Sequence, residues 1–223
     1  MIFKYEKIDL EINLVNNSVV TIQIESPILW RDFVYNLVNE VNGREGNILL
    51  HNNGKSANVS KSIEYIDNPL TIDYSNKKLI TKLYQEAEEI ANAEMIEKTG
   101  ILHTCIINYF EQIAERLPYS VGFDDSLSLS GLLKYLNFSF SYDDQDLAER
   151  LITYIHLLHV VCGIQVFVTM HMKEYFTENE YDNILKTLAY EEISVINIET
   201  RGFQRNPLEK VVAVDADQCI IEY

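Results

Sequence analysis

Apolar residues repeat with one period at both ends of this chain and with another in its middle. That arrangement restricts the fold more than any single motif. Near the N-terminus Ile8, Leu10, Ile12 and Leu14 alternate with Lys7, Asp9, Glu11 and Asn13, the period-two pattern of a strand with one buried face. Asn16-Asn17 offers a turn, and Val20, Ile22 and Ile24 resume the alternation, so the pair reads as a hairpin. Ser26-Pro27 then opens a helix, a good N-cap followed by proline at the first helical position. Trp30, Phe33, Val34, Leu37, Val38 and Val41 form its apolar stripe, and Gly43 can end it. Ile48-Leu49-Leu50 followed by Asn53-Gly54 predicts another strand and a hairpin turn.

The middle of the chain has helical periodicity from about Asn76 to Leu117. Leu79, Ile80, Leu83, Tyr84, Ala87, Ile90 and Ala91 make one stripe; Leu102, Cys105, Ile106, Tyr109, Ile113 and Leu117 make a second, with the break expected near Gly100. A short helix is expected around Leu129–Leu136. The last third returns to α/β patterning. A helix stripe runs from Leu147 through Leu151, Ile155 and Leu158 to Cys162, and Val166-Phe167-Val168 is a buried-strand run. Thr177-Glu178-Asn179-Glu180 is a capping box opening a helix with Tyr181, Ile184, Leu185 and Leu188, and Ile193–Ile196 is the next strand. Strand, helix, strand at this spacing implies a parallel pair. Val211–Val214 and Cys219–Ile221 add strands at the end. The expected fold class is therefore α/β, with one sheet-containing domain drawn from residues 1–70 and 141–223 and an α-helical insertion over 71–140.

Composition narrows the function. Hydrophobic residues make up 47% and charged residues 23%, enough to bury a core. With 18 basic and 34 acidic residues the net charge is −16, which taken alone argues against a nucleic-acid binder. Cys105, Cys162 and Cys219 are scattered without a C-x-x-C, which excludes a disulfide framework or a cysteine-rich zinc site and fits a reducing compartment. No apolar run approaches the length of a membrane span; no membrane association is expected and the cytoplasm is the expected location.

Each motif has a functional and a plainer reading. Gly54-Lys55-Ser56 matches the end of a phosphate-binding loop, but Leu49 stands where its first glycine should be, so a hairpin is preferred. The strand-to-helix turn Glu25-Ser26-Pro27 has no glycine and carries an acid that repels phosphate. His156, His159 and Cys162 share a helix at three-residue steps, a pattern read as packing rather than metal ligation. Asp215-Ala216-Asp217 is either a cation-holding strand end or, by preference, a solvated turn. Glu115, Asp124 and Asp125, with Glu111, Ser126, Ser128 and Ser130, form the densest oxygen-donor region and are the candidate metal ligands, weighed against an exposed acidic loop. Basic residues cluster more than the total suggests: Lys55 and Lys61, then Lys77, Lys78 and Lys82, then Arg201, Arg205 and Lys210. Lys78 and Lys82 share a helix face. Hydrolase, deaminase and kinase signatures are absent, so no enzymatic activity is expected.

Taken together, Val19–Ile24 with the Ser26-Pro27 helix, the Gln165–Thr169 strand, the block Tyr175-Phe176-Thr177-Glu178-Asn179-Glu180, and the tail from Val195 through Glu199, Gly202-Phe203-Gln204 and Val214–Asp217 resemble the adaptation protein of type II-A CRISPR systems, the ring-forming double-stranded-DNA-binding family. The resemblance spans nearly the whole chain in element order. It implies an α/β head related to nucleotide-binding ATPases but lacking working phosphate loops, and a helical leg. It further implies a homotetramer whose lysine-lined hole admits linear duplex DNA without sequence preference, with Ca²⁺ stabilising the ring. The implied role is spacer acquisition alongside the CRISPR integrase proteins and the RNA-guided effector nuclease. On that reading Lys55, Lys61, Lys77, Lys78 and Lys82 contact DNA. Two other readings stand beside it: a degenerate nucleotide-binding or phosphoryl-transfer enzyme using Asp215 and Asp217, and an acidic scaffold that touches no DNA.

Overall fold

The computed structural model describes residues 1–14, 19–141, 146–202 and 205–222. In chain order the elements are β1 (Ile2–Tyr5), β2 (Leu10–Asn13), β3 (Val19–Ile24), α1 (Pro27–Val41), β4 (Ile48–Asn52), β5 (Lys55–Ala57), α2 (Val59–Ser62) and β6 (Ile63–Ile66). The helices α3 (Lys77–Ala93), α4 (Ile96–Glu115), α5 (Leu129–Tyr135) and α6 (Leu147–Cys162) follow. The chain closes with β7 (Val166–Met170), α7 (Met172–Tyr175), α8 (Glu178–Tyr190), β8 (Ser194–Glu199), β9 (Glu209–Val214) and β10 (Ile220–Glu222). It divides into two compact units, Met1–Asp73 with Tyr142–Tyr223, and Tyr74–Ser141.

The first unit holds two sheets. One is antiparallel with strand order β2-β1-β4-β5; the other has the order β10-β9-β3-β8-β7-β6 and is parallel except for β10. The expected N-terminal hairpin is not formed. β2 pairs with β1, whereas β3 lies at the centre of the second sheet between β8 and β9. The apparent alternation in β3 misled because the strand is covered on both faces: Val19 and Thr21 are buried along with Val20, Ile22 and Ile24, as central parallel strands are. Ile8, read as the start of a strand, sits in a 3₁₀ turn over Glu6–Ile8. The turn at Asn16-Asn17 lies outside the described residues.

The two faces of the parallel sheet differ in chemistry. Val20, Ile22, Ile24, Val168, Ile196, Ile198 and Val212 join Phe33 and Leu37 of α1 and Phe3, Tyr5, Leu10, Ile48 and Leu50 of the small sheet in one apolar core. The opposite face carries buried polar groups: Thr21, Thr169, Asn197, Glu199 and Glu209. Glu209 accepts bonds from Thr21 Oγ1 (2.7 Å), Tyr181 OH (3.1 Å) and the Asn206 amide (2.9 Å), and pairs with Lys173 Nζ. Each lone pair of this buried carboxylate therefore meets a donor, the condition under which a charge is tolerated inside a protein.

Local signals fix the element ends. Ser26 caps α1, accepting from the Leu29 amide. The Thr177–Glu180 capping box closes in both directions. Gly163 ends α6 at φ +70, a left-handed conformation that costs a residue with Cβ about 1–2 kcal/mol.

In the second unit α3 packs against α4 and α5, and Ser130 donates its amide to Glu88 of α3 (3.1 Å). The helix break falls at Glu94-Met95 rather than at Gly100, which lies inside α4. Glycine lowers helix propensity by about 1 kcal/mol but does not forbid a helical turn, and Gly100 accepts a bond from Thr104 within the helix (2.9 Å).

Candidate nucleic-acid interface

Lys77, Lys78 and Lys82 occupy the first two turns of α3, and all three are exposed. Asn76 caps the helix, its side chain accepting from the amides of Lys78 (2.8 Å) and Leu79 (3.4 Å). No acid stands in the first turn. Lysine is unfavourable there because the helix N-terminus already carries partial positive charge. The sequence thus concentrates positive potential where it costs stability.

Lys55 lies on β5 and Lys61 on α2, both exposed and both in the first unit, whereas the α3 lysines belong to the second. Among the described residues Lys55, Lys61, Lys77 and Lys82 make no ion pair, and the same holds for Lys98, Lys134, Arg44 and Arg116. Several other cations are neutralised by neighbours: Lys4 by Asp9, Lys7 by Asp32, Lys186 by Asp182, Arg201 by Glu174 and Lys210 by Glu222. The basic group at Arg201 and Lys210 is therefore tied up within the fold. Arg205 lines a separate cavity of about 370 Å³ with Lys173, Tyr181 and Asn206.

The candidate metal ligands do not converge. Glu115 ends α4, while Asp124 and Asp125 lie in the exposed segment after it. Asp124 accepts from the Ser126 amide (2.9 Å), and these Ser126 bonds hold its carboxyl below the ordinary aspartate value. Asp125 uses its backbone carbonyl to receive His103 Nε2. Among the described residues no group of three His, Cys, Asp or Glu side chains could hold a metal ion. The donors named for calcium do not fit that role in this arrangement, which provides one local turn and no chelating cage. Asp143 and Asp144 lie outside the described residues.

The remaining motifs take their plainer forms. Asn53 (φ +50) and Gly54 (φ +76) make the β4–β5 hairpin turn, so Lys55 and Ser56 are strand residues and no phosphate loop exists there. His156 Nδ1 meets Glu191 (2.9 Å), and His159 Nδ1 meets the Ile164 carbonyl (2.7 Å). The Asp215 carboxylate accepts from the amides of Asp217 (2.9 Å) and Cys219 (2.8 Å), which makes it the staple of the β9–β10 turn. Phe203 and Gln204 of the tail motif lie outside the described residues.

No residue of the 20-residue helix α4 is buried, and Ile96, Ile101, Leu102, Tyr109, Phe110 and Ile113 are exposed on it. The signal was legible: Phe110 falls off the assigned stripe, so the apolar face is wider than one stripe, with Glu97, Glu111 and Glu115 on the opposite side.

Among the described residues no helix is long and apolar enough to cross a membrane. No curated protein matches the chain. A solved structure described as "Putative ABC transporter (ATP-binding protein)" from Pyrococcus furiosus aligns over 91% of this chain and 88% of its own, at 10% identity and a TM-score of 0.39. The family model "CRISPR-associated protein (Cas_Csn2)" matches residues 40–218, most of the chain and both of its units. The chain belongs to this CRISPR-associated family.

Proposed function

We propose that this CRISPR-associated protein binds linear duplex DNA without sequence preference during spacer acquisition, as a homotetrameric ring whose lysines face the duplex. The observation that carries the reading is the placement of Lys77, Lys78 and Lys82 together at the exposed N-terminus of α3. In a chain of net charge −16, a repeated local cluster is the economical way to attract phosphate. Assembly is supported by α4, whose exposed apolar side chains invite cover by another copy. The role proposed is binding rather than catalysis. The glycine-free turn at Glu25–Pro27 and the Asp215 oxygen tied into its own turn both support that choice. Integrase proteins and the RNA-guided nuclease are the proposed partners, in the cytoplasm.

The test is a mobility shift with linear and closed circular duplex across a salt series, with and without Ca²⁺, alongside the solution mass. Binding that weakens steeply with salt and favours linear DNA is expected. Charge reversal of Lys77, Lys78 and Lys82 is expected to reduce affinity by two orders of magnitude or more while leaving the far-ultraviolet circular dichroism unchanged. A monomer that ignores linear duplex at low salt, calcium present or absent, overturns the proposal.

A further inference from the structure

Three buried polar atoms without a hydrogen-bond partner belong to residues in one place: Trp30 Nε1, His171 Nδ1 and Glu199 Oε2. Native proteins leave few such atoms, and a group of them marks a site whose state the heavy atoms alone do not specify. Glu199 ends β8 with its side chain 1% exposed, and its Oε2 lies 3.4 Å from His171 Nδ1. Its other oxygen is bound by Asn197 Nδ2 (2.8 Å) and the Lys173 amide (3.3 Å). His171 follows β7 in a left-handed conformation (φ +52, ψ +34), and its amide bonds the Ile198 carbonyl (3.0 Å). The Trp30 ring stacks on it, centroids 6.0 Å apart and 28° from parallel.

Charge arithmetic shows what the site needs. The charged and titratable groups around it are Lys173 and Glu174 from α7, Tyr181 from α8, Glu209 from β9 and His171 itself; Glu174 is paired with Arg201. Lys173 supplies one positive charge within a layer holding two buried carboxylates, Glu199 and Glu209. One more proton on the His171–Glu199 pair makes that layer neutral. An ionised Glu199 that faces a bare Nδ1 keeps an oxygen that is buried and unpaired, a costly arrangement.

We infer that His171 and Glu199 share one proton, held on Nδ1 and donated to Glu199 Oε2, and that this proton closes the corner where β7, β8 and α1 meet. A ring whose Nδ1 is bare would leave the Glu199 carboxylate unpaired and His171 without its anchor beside the Trp30 ring. Burial pushes the Glu199 carboxyl up, while Asn197, the Lys173 amide and His171 act against that rise.

Trp30 is the only tryptophan in the chain, so its fluorescence reports this site alone. For the full-length protein, Glu199→Gln and His171→Gln are each expected to change Trp30 emission while circular dichroism stays constant, because the ring stacked on the indole is lost or loses its anchor. Two-bond ¹H–¹⁵N correlation of the His171 ring gives an independent reading. Protonated Nδ1 is expected in the wild type, with the Nε2–H tautomer gained in Glu199→Gln. Should these variants not fold, the wild-type ring spectrum alone decides. An Nε2–H tautomer in the wild type overturns the inference, as does Trp30 emission that Glu199→Gln leaves unchanged.

Discussion

Replacing Glu209 with alanine strips a partner from four groups at once: Thr21, Tyr181, the Asn206 amide and Lys173. Removing one member of a buried pair costs about 3–5 kcal/mol, because the charge left behind has no compensation. Urea unfolding of Glu209→Ala is expected to show a loss of that size. Asp32 behaves differently because it is partly exposed. Lys7, and then Tyr5, hold its carboxyl below the ordinary aspartate value. A depressed carboxyl stabilises the fold above the unfolded value and loses that contribution as the pH falls through the folded one. Asp32→Asn is therefore expected to lower the melting temperature at neutral pH, with the gap to the wild type closing in acid. Residue-level chemistry was only partly legible in the sequence. The α3 lysines stand together along the chain and could be read directly. His171 and Glu199 could not, because parallel pairing of β7 with β8 brings them together and neither carries a local signature.

At the level of elements, legibility followed the range of the signal. The Thr177–Glu180 capping box, the Asn53-Gly54 hairpin and the left-handed stop at Gly43 are all local, and each stands where the sequence places it. Thr177→Ala is expected to cost about 1 kcal/mol through loss of the α8 cap, measured by thermal unfolding. What local patterns cannot convey is which strand an apolar run will join. β2 and β3 are neighbours in sequence with similar alternation, yet they enter different sheets. Their fates are set by β1 and by the last strands of the chain. The element of most consequence for the proposed assembly is α4. Exchanging Ile101 and Tyr109 for glutamate is expected to leave the helical signal intact while lowering the mass seen by light scattering. An unchanged mass would remove α4 from the proposed interface.

For the whole molecule, a net charge of −16 averages over acids spread along the chain and lysines grouped at a few points. In the proposed ring the binding surface depends on how many copies are present, since each contributes its own small cluster. The fraction of duplex DNA bound is expected to rise more steeply than linearly with protein concentration. Dilution below the assembly range is expected to abolish binding before it disturbs the fold, which fluorescence anisotropy of labelled DNA can follow. The placement of β3 carries a different consequence, for synthesis. Thr21 and the carboxylate it binds, Glu209, are 188 residues apart, and both strands flanking β3 come from the final stretch of the chain. A ribosome making this protein releases the central strand first and its neighbours last. The head cannot close around its core until translation is nearly complete, and pairing over so long a separation is slow. A premature stop anywhere before β9 thus yields no smaller working version of the protein, only a nascent chain with its middle strand unclaimed.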